Sequence, residues 1–343
     1  MSGFFYDKRV LIVGGTGTIG NGLLEEILKD RPRVVRVFSR DEHKQFELQQ
    51  KYAGAANIRY LIGDVRDAER VQRAMQDIDY VFHAAAMKHV PACEYNPFEA
   101  VQTNIIGTQN VIQASIKAGV KKTIFTSTDK AISPTNTYGA SKLMAERLVS
   151  SAQYQAGPRD TTFAAVRFGN VMGSRGSVIP LFCSQIRRSR EVTVTDLAMT
   201  RFMMTRKQAT DLTIKAMQTS TGGEVFVLKM PVIRLQDLVE SVIDSAASRY
   251  RIDPREVAIR EIGLRPGEKM YEELMTDTEA MQAIELDDMF VIPNPFVDHA
   301  PHYEGGRPAS GEGYNSHNAV PVTRREVDAM LRDNGLMESG DPE

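Results

Sequence analysis

The chain has 343 residues, 42% hydrophobic and 25% charged, with a formal net charge of −2. That length exceeds one ordinary domain, and so small a net charge excludes the basic footprint of a nucleic-acid binder, so an anionic ligand must meet a local cluster of cations. Cys93 and Cys183 lack metal-type spacing, the start MSGFFYDKRV carries no signal-peptide run, and no apolar stretch reaches the roughly 20 residues that span a bilayer.

These features predict a cytoplasmic protein with reduced thiols, no membrane segment and no metal. His299 and His302 are the only close histidine pair, and they sit in a Gly/Pro-rich stretch. In chain order, β-branched runs at 9–14, 34–39, 58–63, 80–85, 122–127 and 163–168 alternate with stretches of helical periodicity at 17–29, 43–52, 68–76, 98–118 and 137–154. Alternation of this kind predicts βαβ units and a Rossmann-like, doubly wound parallel sheet. After about residue 170 the rhythm loosens, which predicts a smaller C-terminal substrate-binding lobe from 171–204 and 229–343. The helix at 205–218 and strand at 224–228 return to the nucleotide domain formed by 1–170. Residues 293–319 are rich in turn formers and predict a surface loop or lid. Thr323 and Glu326 have capping-box spacing, so a terminal helix follows.

GGTGTIG joins the first strand to the first helix and supplies Gly14, Gly17 and Gly20, with Thr16, Thr18 and Ile19 between and beside them. Bare amides at a helix N-terminus favour a phosphate, so this turn predicts a dinucleotide site. The second strand ends FSRDEHK, placing Ser39 and Arg40 where an NAD site normally carries an acid, with Lys44 one turn on. Cations there suit a 2′-phosphate and favour NADP. The alternative gives the ribose to Asp41 or Glu42. Asp64 ends the third strand as an acceptor for the adenine amino group or as a helix cap.

Tyr138 and Lys142 are four apart on a predicted helix and share one face. An ammonium beside a phenol lowers its pKa, which would make Tyr138 a base toward a substrate hydroxyl and Lys142 its partner. Asp129 and Lys130 lie just upstream, at the carboxyl end of the fifth strand where open α/β sheets bind ligands. If a ketone forms at C4 of a hexose, the C5 proton becomes acidic. A base can then remove it while an acid protonates the C6 hydroxyl, so the additional acid and base predict elimination of water within a redox cycle.

The motifs GGTGTIG, FSRDEHKQFELQQKY, GDVRD, HAAAMKHVPACEYNPFEA, STDKA, YGASK, VRFGNVMGSRGSVIP, TDLAMTRF, GLRPGEK and YNSHN run through nearly the whole chain. Together they resemble the inverting UDP-N-acetylglucosamine 4,6-dehydratases of the extended short-chain dehydrogenase/reductase superfamily, enzymes that open pseudaminic-acid-type pathways. The resemblance implies tightly bound, recycled NADP, Asp129 as acid toward O6, Lys130 as base at C5, Tyr138 as base at O4, and a 4-keto-6-deoxy product inverted at C5. It places Val65, Ala84, Ala86 and Asn104 with the cofactor. Retaining relatives usually carry methionine where Tyr138 stands. Two departures bear on sugar specificity: Met203 replaces an expected aromatic residue, and residues 245–262 are longer than the usual link.

For the UDP-sugar, Arg201 and Arg265 can hold the pyrophosphate bidentately, and Glu268 can accept from the uridine ribose. Asn170, Ser177 and Val178 lie near the diphosphate, Lys88 near the sugar, and Thr195 and Met199 belong to the same substrate set. The competing enzyme reading is a UDP-GlcNAc 4-epimerase, which needs neither an acid at O6 nor a base at C5. The non-enzyme reading is a dinucleotide-binding sensor. Self-association into a dimer or hexamer through the long central helices is expected.

Overall fold

The computed structural model describes residues 3–155, 157, 161–174, 176–296 and 302–336. Six parallel strands, β1 (Arg9–Val13), β2 (Val34–Ser39), β3 (Ile58–Ile62), β4 (Tyr80–His83), β5 (Lys122–Thr126) and β6 (Thr162–Arg167), fall where the β-branched runs predict them. The helices between them are α1 (Thr18–Lys29), α2 (Glu42–Lys51), α3 (Ala68–Met75), α4 (Val90–Tyr95), α5 (Pro97–Ala100), α6 (Gly107–Ala118) and α7 (Thr137–Gln155). The strand order 6-5-4-1-2-3 reverses between β1 and β4, which opens a crevice at the carboxyl ends of the strands. Leu11, Ile12, Val37, Phe82 and Phe163 are fully buried, as expected of strands covered on both faces.

The predicted helix at 98–118 is interrupted. Val101–Ile106 is wound as a π-helix between α5 and α6, an arrangement that recurs at functional sites because it re-aims a side chain. Here it carries Asn104 into the interior.

Beyond β6 come β7 (Asn170–Val171), α8 (Val178–Ser189), β8 (Glu191–Val194), β9 (Thr200–Met204), α9 (Arg206–Thr219), β10 (Val225–Leu228), β11 (Val232–Arg234), α10 (Leu235–Tyr250) and β12 (Ala258–Glu261). β10 lies parallel beside β6 in the main sheet. β7, β9 and β11 form a small sheet, and the long link at 245–262 supplies the end of α10 and β12, which pairs with β8. Met203, the unexpected aliphatic, packs in the lobe's own core with Ile179, Phe182 and Leu238.

The last elements are β13 (Glu273–Met275), α11 (Asp277–Ala280), β14 (Ile284–Glu285), β15 (Met289–Ile292), β16 (Arg307–Pro308), β17 (Tyr314–Asn315) and α12 (Arg324–Asp333). Residues 284–308, assigned to the lobe from sequence, include three strands that extend the main sheet, since β15 pairs antiparallel with β10 and β14 joins β15 to β16. β14, β15 and β16 are only 2, 4 and 2 residues long, too short for a period-2 pattern to flag this return. The expected lid at 293–319 is pinned where it is described: the Tyr303 hydroxyl donates to buried Glu224 at 3.1 Å, and β17 pairs with β13. His299 lies outside the described residues. The capping box at Thr323 and Glu326 is present at the start of α12.

Candidate active site

A cleft of about 770 Å³ runs along the carboxyl ends of β1, β4 and β5. At one end is the glycine turn. Gly14 has φ +85° and a Cβ there would meet the Ala85 nitrogen at 2.6 Å, while a Cβ on Gly20 would meet the Gly14 carbonyl oxygen at 2.5 Å, so the fold itself demands both glycines. Gly17 differs: its Cβ would find only the Gly14 oxygen, at 3.2 Å. It is the N-cap of α1, makes no side-chain cap hydrogen bond, and lines the cleft with Thr16, Thr18, Ile19 and Gly20. An open helix N-terminus of this form fits a dinucleotide pyrophosphate.

Arg40 and Lys44 also line the cleft. Asp41, the alternative ribose acceptor, caps α2 by accepting from the Lys44 amide at 3.0 Å and is ion-paired to the Lys44 ammonium, which holds its carboxyl below the usual range. Ser39 faces inward, its hydroxyl accepting from Gln45 at 3.2 Å. Asp64 is tied to Arg66 through both its backbone and its guanidinium, and Asp67, not Asp64, caps α3. Ala84 and Ala86 line the cleft, whereas Val65 is buried in the core. Asn104 does not reach the wall. Its amide bonds the Met87 backbone at 2.8 and 2.9 Å and the Ser141 hydroxyl at 2.9 Å, so it fixes the segment after β4 against α7.

The sequence-predicted acid, bases and lysines gather at the centre. Asp129 opens a 3₁₀ turn directly after β5 and is 2% exposed. Its Oδ1 accepts from the Thr128 hydroxyl at 2.8 Å, the Lys130 amide at 2.8 Å and the Lys130 ammonium at 3.1 Å. Burial opposes ionisation, but Lys130 and these donors win and hold the carboxyl below its usual range. Lys130 is gripped on its other side by Glu272 Oε1 at 2.9 Å, and the two carboxylates outweigh burial to raise its pKa.

Tyr138 lines the same cleft, but burial pushes its phenol up to about 12, against the expectation of a lowered value. Lys142, the partner expected to lower it, is itself buried, donates to the Thr126 carbonyl at 2.5 Å and stands 3.9 Å from the Phe125 ring centroid. Desolvation lowers its pKa to about 7, so it carries only part of a charge near neutrality. The cation that does favour the phenolate is Lys130. His83 beneath them is kept neutral by burial, at about 3.

A side chamber of about 220 Å³ adjoins the cleft through Asp129, Lys130 and Asn170, with Arg201, Glu268 and Glu272 among its other walls. Arg201 is committed to the protein: its NH1 donates to the Thr200 and Met270 carbonyls, and its NH2 to the Lys269 carbonyl and Met199 sulfur. It therefore clamps the loop at 267–270. Glu268 accepts from Thr195 Oγ1 at 3.1 Å and from the Arg265 amide at 3.2 Å. Lys88 and Ser177 line the main cleft, Val178 opens α8 behind it, and Thr195, Met199 and Arg265 are on neither wall.

Glu272 was missed from sequence. It immediately precedes β13, and strand alternation sets it on the same face as fully buried Leu274. A carboxylate at a core-facing position was the available signal. Among the described residues no group of three or more His, Cys, Asp or Glu side chains could hold a metal.

The sequence profile of the polysaccharide biosynthesis protein family matches residues 10–294. The chain belongs to this family. It is similar to Pen from Bacillus thuringiensis, a solved structure, at 56% identity and TM-score 0.92, covering 97% of this chain and 99% of that one. It is 46% identical over 333 residues to an uncharacterized membrane protein of Methanocaldococcus jannaschii (97% of this chain, 98% of the relative). It is 39% identical over 335 residues to a UDP-glucose 4-epimerase of Rickettsia massiliae (95% and 96%). The fold extends to the dTDP-glucose 4,6-dehydratase of Streptomyces venezuelae solved with NAD and TYD bound, at 21% identity and TM-score 0.68 over 76% of this chain and 86% of that one. These likenesses place the chain in the polysaccharide biosynthesis family on a Rossmann-like sheet. No described helix is long and apolar enough to cross a membrane.

Proposed function

We propose that this protein removes water from UDP-N-acetylglucosamine to give a UDP-4-keto-6-deoxy-hexose inverted at C5, a precursor for surface glycan or nonulosonic-acid-type biosynthesis, in the cytoplasm. The observation that carries this reading is the juxtaposition of Asp129 and Lys130 with Tyr138 on one cleft wall. NADP held by the Gly17 turn, Arg40 and Lys44 would supply reversible hydride acceptance. The chain's own residues handle the protons: Tyr138 receives the proton of the O4 hydroxyl, Lys130 receives that of C5, and Asp129 protonates O6 as the C6–O bond breaks.

The name of the Rickettsia relative favours a second reading, 4-epimerisation. A 4-epimerase needs only Tyr138 and a cofactor, which would leave the buried Asp129, Lys130 and Glu272 cluster without a chemical task. An NMR time course with UDP-GlcNAc in D2O separates the two. A C6 methyl signal with deuterium at C5 supports dehydration, and the couplings among H1, H2 and H3 of the product, which follow its ring conformation, separate the inverted C5 from the retaining outcome. UDP-GalNAc without a methyl signal means epimerisation. Self-association belongs to the same proposal: Tyr95, Phe98 and Met144 are exposed on α4, α5 and α7, and light scattering reads whether a dimer or hexamer forms.

A further inference from the structure

We propose that Glu272 is a positioning residue that holds the proton Asp129 delivers to the leaving hydroxyl. The inference rests on the dehydration reading above. Elimination requires Asp129 to carry a proton, yet three donors converge on its Oδ1 and favour the carboxylate. As an isolated group, Asp129 is a poor acid at neutral pH. Glu272 is the second carboxyl of the cluster. It is 6% exposed, contacts Lys130 Nζ through Oε1 at 2.9 Å, accepts from Asn170 Nδ2 on Oε2 at 2.9 Å and so shares the Lys130 ammonium with Asp129, which contacts it at 3.1 Å.

Two carboxyls this close in a buried site cannot both ionise freely, so one proton is retained between them. Glu272 has the higher proton affinity. Burial first, then the Asp129 charge, raise its pKa to about 7, against the lowering influence of Lys130 and Arg201. Arg201 Nε stands 3.5 Å away, and on its own segment Glu273 is paired with Lys269 at 3.5 Å. Tyr138 faces the same pair, coupled to both Asp129 and Lys130.

The step balances with that single proton: the Glu272 O–H bond breaks as an O–H bond forms on Asp129, and that bond breaks in turn as O6 takes the proton and C6–O cleaves to release water, leaving both groups as carboxylates. One proton enters the enzyme from O4 and one leaves through O6 in each turnover, so the protein returns to its starting charge by exchange with water in the open cleft. A protonated Glu272 also removes one of the two negative charges that grip Lys130, which loosens the hold of that amine on its proton before it acts at C5.

The test is Glu272→Gln in the full-length, cofactor-loaded enzyme, with product formation followed from pH 5 to 9. The expected result near pH 8 is a fall in kcat of at least about 100-fold with KM changed by less than about threefold, because the residue supplies a proton rather than binding surface. Activity should recover as pH is lowered and Asp129 itself becomes protonated. Glu272→Asp, which keeps a carboxyl, should restore part of the rate. An E272Q enzyme with the kcat and pH profile of the wild type overturns the proposal, and so does a loss equal at every pH in a variant that melts like the wild type, since that is a packing effect. A wild-type enzyme that forms no C6 methyl product sinks the dehydration reading together with this one, whereas a dehydrating wild type with an indifferent E272Q removes only the role of Glu272.

Discussion

Tyr138 and Lys130 divide the proton chemistry by environment. The phenol is buried and its pKa is pushed up to about 12, so near neutrality it acts by passing a proton along as it accepts one, and the proposed oxidation rate should rise with pH. Tyr138→Phe should lower turnover by about 10²–10⁴-fold with nucleotide-sugar affinity little changed, measured as separate kcat and binding values. Lys130→Met should abolish C6 methyl formation while calorimetry still registers cofactor and UDP-sugar binding; normal turnover would remove Lys130 as the C5 base. Arg40→Asp should move cofactor preference from NADP toward NAD, and unchanged NADP affinity would defeat the 2′-phosphate argument. Chain order alone brought these residues forward as candidates. It could not disclose that Lys142 is spent on the Thr126 carbonyl, because that depends on how deeply α7 lies against β5.

Elements succeed or fail by backbone geometry, and the glycine turn after β1 makes the distinction measurable. Gly14→Ala and Gly20→Ala should unfold the nucleotide half or sharply lower its melting temperature, because each new Cβ would strike backbone atoms at 2.5–2.6 Å. Gly17→Ala should fold with little loss of stability and instead weaken cofactor binding, read by titration of the apo protein, since its Cβ would project where the pyrophosphate approaches. Periodicity located the seven parallel strands of the main sheet, β1–β6 and β10, and the helices of the first half other than α4, but neither the three added strands β14–β16 nor the π-helical winding at Val101–Ile106. That segment has ordinary helical composition; packing of Asn104 against Met87 and Ser141 selects the wider winding.

At the scale of the whole molecule, one buried cation joins three elements. Arg167 of β6 is fully buried, donating to Glu146 of α7 at 2.5 and 3.2 Å, to Glu279 of α11 at 3.1 Å and to the Leu274 carbonyl at 2.8 Å. Arg167→Met strands two carboxylates and should cost about 3–5 kcal/mol, visible in chemical denaturation. Burial opposes the charge of Glu279, but the guanidinium prevails and its pKa is lowered from 4.5. A depressed carboxylate contributes stability present above its unfolded pKa and lost as pH falls through the folded one, so wild-type stability should decline below about pH 4.5. The sequence by itself determined the parallel part of the sheet, the glycine turn, the order of the candidate catalytic stretch and the absence of a long apolar span, because each is written in local periodicity or spacing. Only the tertiary structure decided that Glu272, 142 positions beyond Lys130, closes on its ammonium, that Arg201 serves a loop, and that β14, β15 and β16 rejoin the sheet. Those are matters of which distant segments share a buried space, and burial is what gives a carboxylate or an amine its working charge.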